Sequence, residues 1–126
     1  MSTKLVKIPG PDHPITIEAA GRRVTVRVAG VTVADSRHAL VLREANYPPV
    51  YYLPGADIAM SQLAASSHTT YCPYKGDCSY HDIPAGGERS RNAVWSYAAP
   101  YEAVAAIAGH FAFYPDRVDA IEIEEA

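Results

Sequence analysis

The run Cys72-Pro73-Tyr74-Lys75-Gly76 concentrates reactive side chains on one short turn. Pro73 restricts the backbone and Gly76 lets it reverse, so Cys72 and Lys75 project from a defined base. A lysine in that setting binds an anion as a point charge. A cysteine beside a cation can be a nucleophile; a surface lysine and an inert buried cysteine are the plainer readings. His68, Cys72, Cys78 and His81 together have the composition of a tetrahedral zinc set. Their spacing argues against it, because five residues separate the two cysteines and His81 follows Cys78 too closely. We expect no metal. A Cys72–Cys78 disulfide is disfavoured in a reducing compartment.

Aromatic residues are the second concentration. Nine tyrosines stand against two phenylalanines. A buried tyrosine must find a hydrogen-bond partner, so core filling alone would favour phenylalanine. Trp95 and Tyr97 share strand parity and could stack a planar ring beside a basic group. Arg43 and Glu44 end a strand and point to opposite faces, so one can line a pocket while the other meets solvent. His38, His68, His81 and His110 could each act as a general base, and no spacing selects one. Phosphate-loop, nucleophile-elbow and zinc-protease motifs are absent from the sequence.

These residues need strands to hold them. Ile15, Ile17 and Ala19 alternate with polar residues, as do Val24, Val26 and Val28, which is the period of a half-buried strand. Ala29-Gly30 reads as a tight turn before Val31–Ala34. Further strands are expected at His38–Ala45, Val50–Leu53, Cys78–Ile83, Ala93–Tyr97, His110–Tyr114 and Ala120–Glu124. Short helices are expected at Asp57–Ala65, where Asp57 suits the helix dipole, and at Tyr101–Ala108. Ser66–Gly76 shows no period and reads as a loop. Three prolines make residues 1–14 an arm without regular structure, leaving 15–126 as a single globular domain. The pattern predicts an α+β fold, mainly antiparallel, with two packed sheets and two short helices.

Composition sets outer bounds. The 126 residues fit one domain, and 48% of them are apolar, enough for a real core. A net charge of −3 disfavours a generic nucleic-acid surface. No apolar run is long enough for a membrane span, and the first ten residues have no signal-peptide core. The expectation is a soluble cytoplasmic domain.

Arg43-Glu44 is followed by Pro49-Val50-Tyr51-Tyr52-Leu53-Pro54. Then come the Cys72–Gly76 run, Ala93-Val94-Trp95-Ser96-Tyr97 with Pro100, and Phe113-Tyr114-Pro115 with Val118. In that order, these segments resemble a small bacterial family, domain-of-unknown-function family 427, over about Val24–Ile123. The resemblance implies a compact antiparallel architecture of the β-tent kind. Some domains of that kind hold zinc with four cysteines, which this chain lacks, and one branch holds a cyclic imide in an aromatic cage. A nucleotidyltransferase-like label attaches to the family, yet the sequence has no glycine-serine turn with paired aspartates. The resemblance implies a shared pocket of Arg43, Tyr52, Lys75, Trp95 and Tyr97.

Three functions follow as expectations. The first is a small-molecule binding domain for a planar, anionic or nucleotide-like ligand, without a cofactor. Arg43 and Lys75 would meet the anion, Trp95 and Tyr97 the ring, and Tyr52 would supply a hydroxyl, with Glu44, Asp57 and Cys72 in support. The second is an enzyme on a nucleotide-like substrate, in which Lys75 stabilises developing charge and Glu44 or a histidine moves a proton. The third is a protein-interaction module using exposed tyrosines. No nucleic-acid or membrane partner is expected, and a homodimer is left open.

Overall fold

A computed structural model describes residues 4–125; Met1–Thr3 of the expected arm and Ala126 lie outside the described residues. Strands β1 (Ile15–Ala19), β2 (Val24–Val28), β3 (Val31–Ser36), β4 (Leu40–Glu44) and β5 (Val50–Pro54) come first. They are followed by β6 (Ala64–Cys72), β7 (Gly76–Asp82), β8 (Val94–Ser96), β9 (His110–Phe113) and β10 (Ala120–Ile123). A seven-stranded sheet runs β1-β4-β5-β9-β8-β7-β6 and a three-stranded sheet runs β10-β2-β3. Every strand pair is antiparallel. The expected mainly antiparallel α+β class is the observed one.

Alternation decides which face each residue takes. On one side of the large sheet, Leu53, Val94 and Phe113 meet Val24, Val26, Val28 and Val33 of the small sheet in a single core. The β2–β3 hairpin closes through Ala29 and Gly30, at φ 50° and 77°. Positive φ at both central positions matches the strand twist, and Asp119 accepts the Ala29 amide at 2.6 Å. On the other side of the large sheet, Leu42, Tyr52, Cys78, Tyr80 and Tyr97 form a second core with Val104 and Ile107.

Two expectations change. Asp57–Ala65 is not one helix. It holds single 3-10 turns at Gly55–Asp57 and Met60–Gln62, and β6 begins at Ala64. Between the turns Ile58 is extended and bridges Ala34, so pairing with β3 overrides the helical spacing. The second expected helix is present as a 3-10 segment, Glu102–Ile107, with Val104 breaking its regularity. Most of the expected loop Ser66–Gly76 belongs to β6. That strand is a sheet edge and exposes residues on both faces, so it has no apolar alternation to read.

Candidate functional site

Strand β9 pairs with β5 only at Leu53–Phe111 and Pro54–His110, while β8 continues alongside β9 through Trp95–Ala112 and Val94–Phe113. The Val50–Tyr52 end of β5 is thereby free of β9. A cavity of about 610 Å³ occupies this region, lined by Val50, Tyr51 and Leu53 on one side and Trp95, Phe113 and Tyr114 on the other. Val24, Val26, Ile121 and Ile123 of the small sheet also line it, with Tyr47, Pro48, Pro49 and Pro115. Its volume lies within the range of small-molecule pockets.

Trp95 is held from two sides. Its ring lies 4.4 Å from that of Tyr114, tilted by 43°, and stands edge-on to Tyr52 at 6.3 Å. The indole N–H donates to the Tyr52 hydroxyl at 3.2 Å. Tyr52 is 2% exposed, and burial raises its pKa above that of an ordinary phenol. Burial acts likewise on Tyr97, reinforced by Cys78 and Tyr52 nearby. Both hydroxyls therefore stay neutral, as hydrogen-bonding groups rather than charges. The Arg117 guanidinium lies 4.5 Å from the Tyr114 ring centroid. Its hydrogen bonds go to the carbonyl oxygens of Asn92, at 3.0 Å, and Arg91, at 3.4 Å.

A polar cluster lies near the second core. The Cys72–Gly76 turn closes with Lys75 N–H donating to the Cys72 carbonyl at 3.2 Å. Gly76, at φ 107°, supplies the reversal. Lys75 is buried, and its Nζ donates to Glu44 Oε1 at 2.5 Å. The other carboxylate oxygen of Glu44 is 2.7 Å from His13 Nε2, and Tyr74 stacks on His13 at 4.1 Å. Burial opposes ionisation of Glu44, but hydrogen bonds from Lys75 and His13 outweigh it and hold the carboxyl below its ordinary pKa. Lys75 Nζ also lies 3.8 Å from Cys72 Sγ.

The structure brings Tyr52, Trp95, Tyr97 and Cys72 into or against the second core, with Lys75 and Glu44 joined to Cys72. It places Arg43 elsewhere. Strand parity turns Arg43 away from Glu44, and its guanidinium pairs with Glu18 at 2.8 Å in exposed surroundings. Asp57 accepts from Ser36 Oγ at 2.7 Å and borders a separate polar recess with Arg23, Arg37 and His38. Of the expected ligand contacts, Trp95 lines the cavity. Cys78 belongs to the second core, whereas His81 faces Phe111 at 5.8 Å, against the first core. The zinc set is thus divided between the two faces of β7. Sequence reasoning missed His13, within the arm expected to lack regular structure, and Arg117. A histidine between prolines and an arginine in a turn carry no periodic signal.

The fold and cavity define a small two-sheet antiparallel domain with an aromatic hollow where its central strands part. A family model described as a domain of unknown function (DUF427) matches residues 16–124, and the chain belongs to that family. No curated protein matches the chain.

Proposed function

We propose that the protein is a small-molecule binding domain whose ligand places a planar ring against Trp95 in the cavity between β5 and β9. The observation that carries this reading is the hollow of about 610 Å³ with aromatic and aliphatic walls. Apolar enclosure supplies affinity, and a few polar groups at the edge fix orientation. Tyr52 and Tyr97 act behind the wall; the Tyr52 hydroxyl accepts the indole N–H and sets the ring angle. The lining carries no cationic side chain, so an anionic substituent belongs at the rim. Arg117, tethered to carbonyl oxygens beside Tyr114, is the cation for it. Lys75 is paired with Glu44 and supports the turn instead of meeting the anion. The concave lining favours a small ligand over the flat protein-binding patch of the interaction-module reading.

A thermal-shift screen of nucleobases, nucleosides, nucleotides and other planar heteroaromatic acids tests the reading. A true ligand at 100 times its Kd adds roughly 2.7 kcal/mol of stability. The Arg117→Gln variant should lose preference for anionic members while retaining neutral ring binding. A screen in which no planar compound raises the melting temperature would overturn the proposal.

A further inference from the structure

The N-terminal segment crosses the end of the β6–β7 hairpin and is fastened by single contacts. Lys4 pairs with Asp77, and the Leu5 carbonyl accepts from the Tyr71 hydroxyl at 2.6 Å. Lys7 N–H donates to the Pro73 carbonyl at 2.9 Å. The Tyr71 and Asp77 side chains stand on the face of the hairpin opposite Cys72, so the segment passes from that face over Pro73 to the side of the cluster. His13 then reaches Glu44 and stacks on Tyr74. Burial contributes little to this attachment, because Leu5, Val6 and Ile8 remain 62%, 52% and 83% exposed. A segment held by few polar contacts and little apolar burial opens locally at a small fraction of the global cost.

We propose that residues 4–13 are a latch over the Cys72–Lys75–Glu44 cluster, hinged at Pro14, whose carbonyl accepts the Ala45 amide at 2.8 Å. Closed, the latch gives one Glu44 oxygen to His13 while the other holds Lys75, and it covers the approach to the half-buried Cys72. Open, it frees that oxygen and brings a thiol, an ammonium and a carboxylate into contact with solvent together. None of these three residues lines the aromatic cavity, so the inference stands apart from the ligand proposal.

Maleimide labelling of the 126-residue chain, resolved by peptide mass, tests the latch. Cys72 reports the cluster, and Cys78, at 2% exposure, reports the core. His13→Ala and Tyr71→Phe each remove one fastening. Loss of a charge-assisted hydrogen bond should raise Cys72 labelling by at least about tenfold in His13→Ala, with a smaller rise in Tyr71→Phe and unchanged Cys78 labelling. Unaltered Cys72 labelling in both folded variants would overturn the proposal, as would Cys72 and Cys78 rising together. Hydrogen exchange on the wild type covers the case in which the variants fail to fold. The Lys7 amide should exchange far faster than the amides of β8, and equal protection of the two would overturn the latch.

Discussion

Lys75 has its ammonium where water scarcely reaches, with 9% of its side chain exposed and Glu44, at 15%, as its partner. Removing one member of a buried ion pair leaves the other charge uncompensated, which typically costs 3–5 kcal/mol. Glu44 would keep His13, so Lys75→Ala should cost about 3 kcal/mol, the lower end of that range, read by denaturant melts. A loss below about 0.5 kcal/mol, the usual result at a plain surface site, would show that the pair is not structural. The pH dependence has a fixed sign. Glu44 titrates lower in the fold than in the unfolded chain, whose ordinary value is 4.5. Its contribution is complete above that value and is lost as pH falls through the folded pKa. The stability gap between wild type and Glu44→Gln should therefore close as pH drops below about 4.5; a gap that widens on acidification would contradict the assignment. The sequence made Cys72 and Lys75 conspicuous because Pro73 and Gly76 are local signals. Their partners are remote: Glu44 is 31 residues away from Lys75, and no local pattern records a contact at that distance. Strand parity did show that Arg43 and Glu44 part company, though not which of them faces the lysine.

Elements were legible where one face is buried and the other wet. Strands β1 and β2 alternate for that reason, whereas the neighbours Val41 and Leu42 of β4 are both buried, one on each face. Strand β6 does not alternate, since an edge strand exposed on both faces has no periodic constraint. The Asp57–Ala65 segment shows the opposite error, where helical spacing of Met60, Leu63 and Ala64 was real but a bridge from Ile58 to Ala34 set the backbone. Segment Pro84–Ser90 carries an element-scale prediction. A Cβ on Gly86 would lie 1.9 Å from Ser90 Oγ and 2.8 Å from Val28 Cγ1. Ser90 is buried, and its hydroxyl donates to the Arg117 carbonyl at 2.7 Å, so it has a bond to lose if it moves. Gly86→Ala should cost about 2 kcal/mol through overpacking, seen as a fall in melting temperature of several degrees. A melting temperature equal to wild type would show that the segment has slack the structure does not display.

At the scale of the molecule, two sheets share one core while the seven-stranded sheet opens between β5 and β9. The two-sheet class followed from many short alternating strands. The opening did not, because it depends on where the pairing of two distant strands stops. Trp95 was identifiable as a candidate from its rarity and its parity with Tyr97, and its place in a cavity wall emerged only with the sheet order. The central claim is that this wall receives a planar ring. Trp95 is the chain's single tryptophan and lines the cavity, so its fluorescence comes from that wall, and the Val50→Phe variant localises the binding. The decisive measurement is a titration with the planar anionic probe anilinonaphthalene sulfonate, using wild type and Val50→Phe, which narrows the hollow. The account predicts saturable one-to-one quenching of Trp95 in a wild-type protein that still melts cooperatively, and at least about tenfold weaker binding, a loss of 1.4 kcal/mol, in a folded Val50→Phe variant. Absence of saturable quenching, or equal affinity in the two proteins, would contradict it.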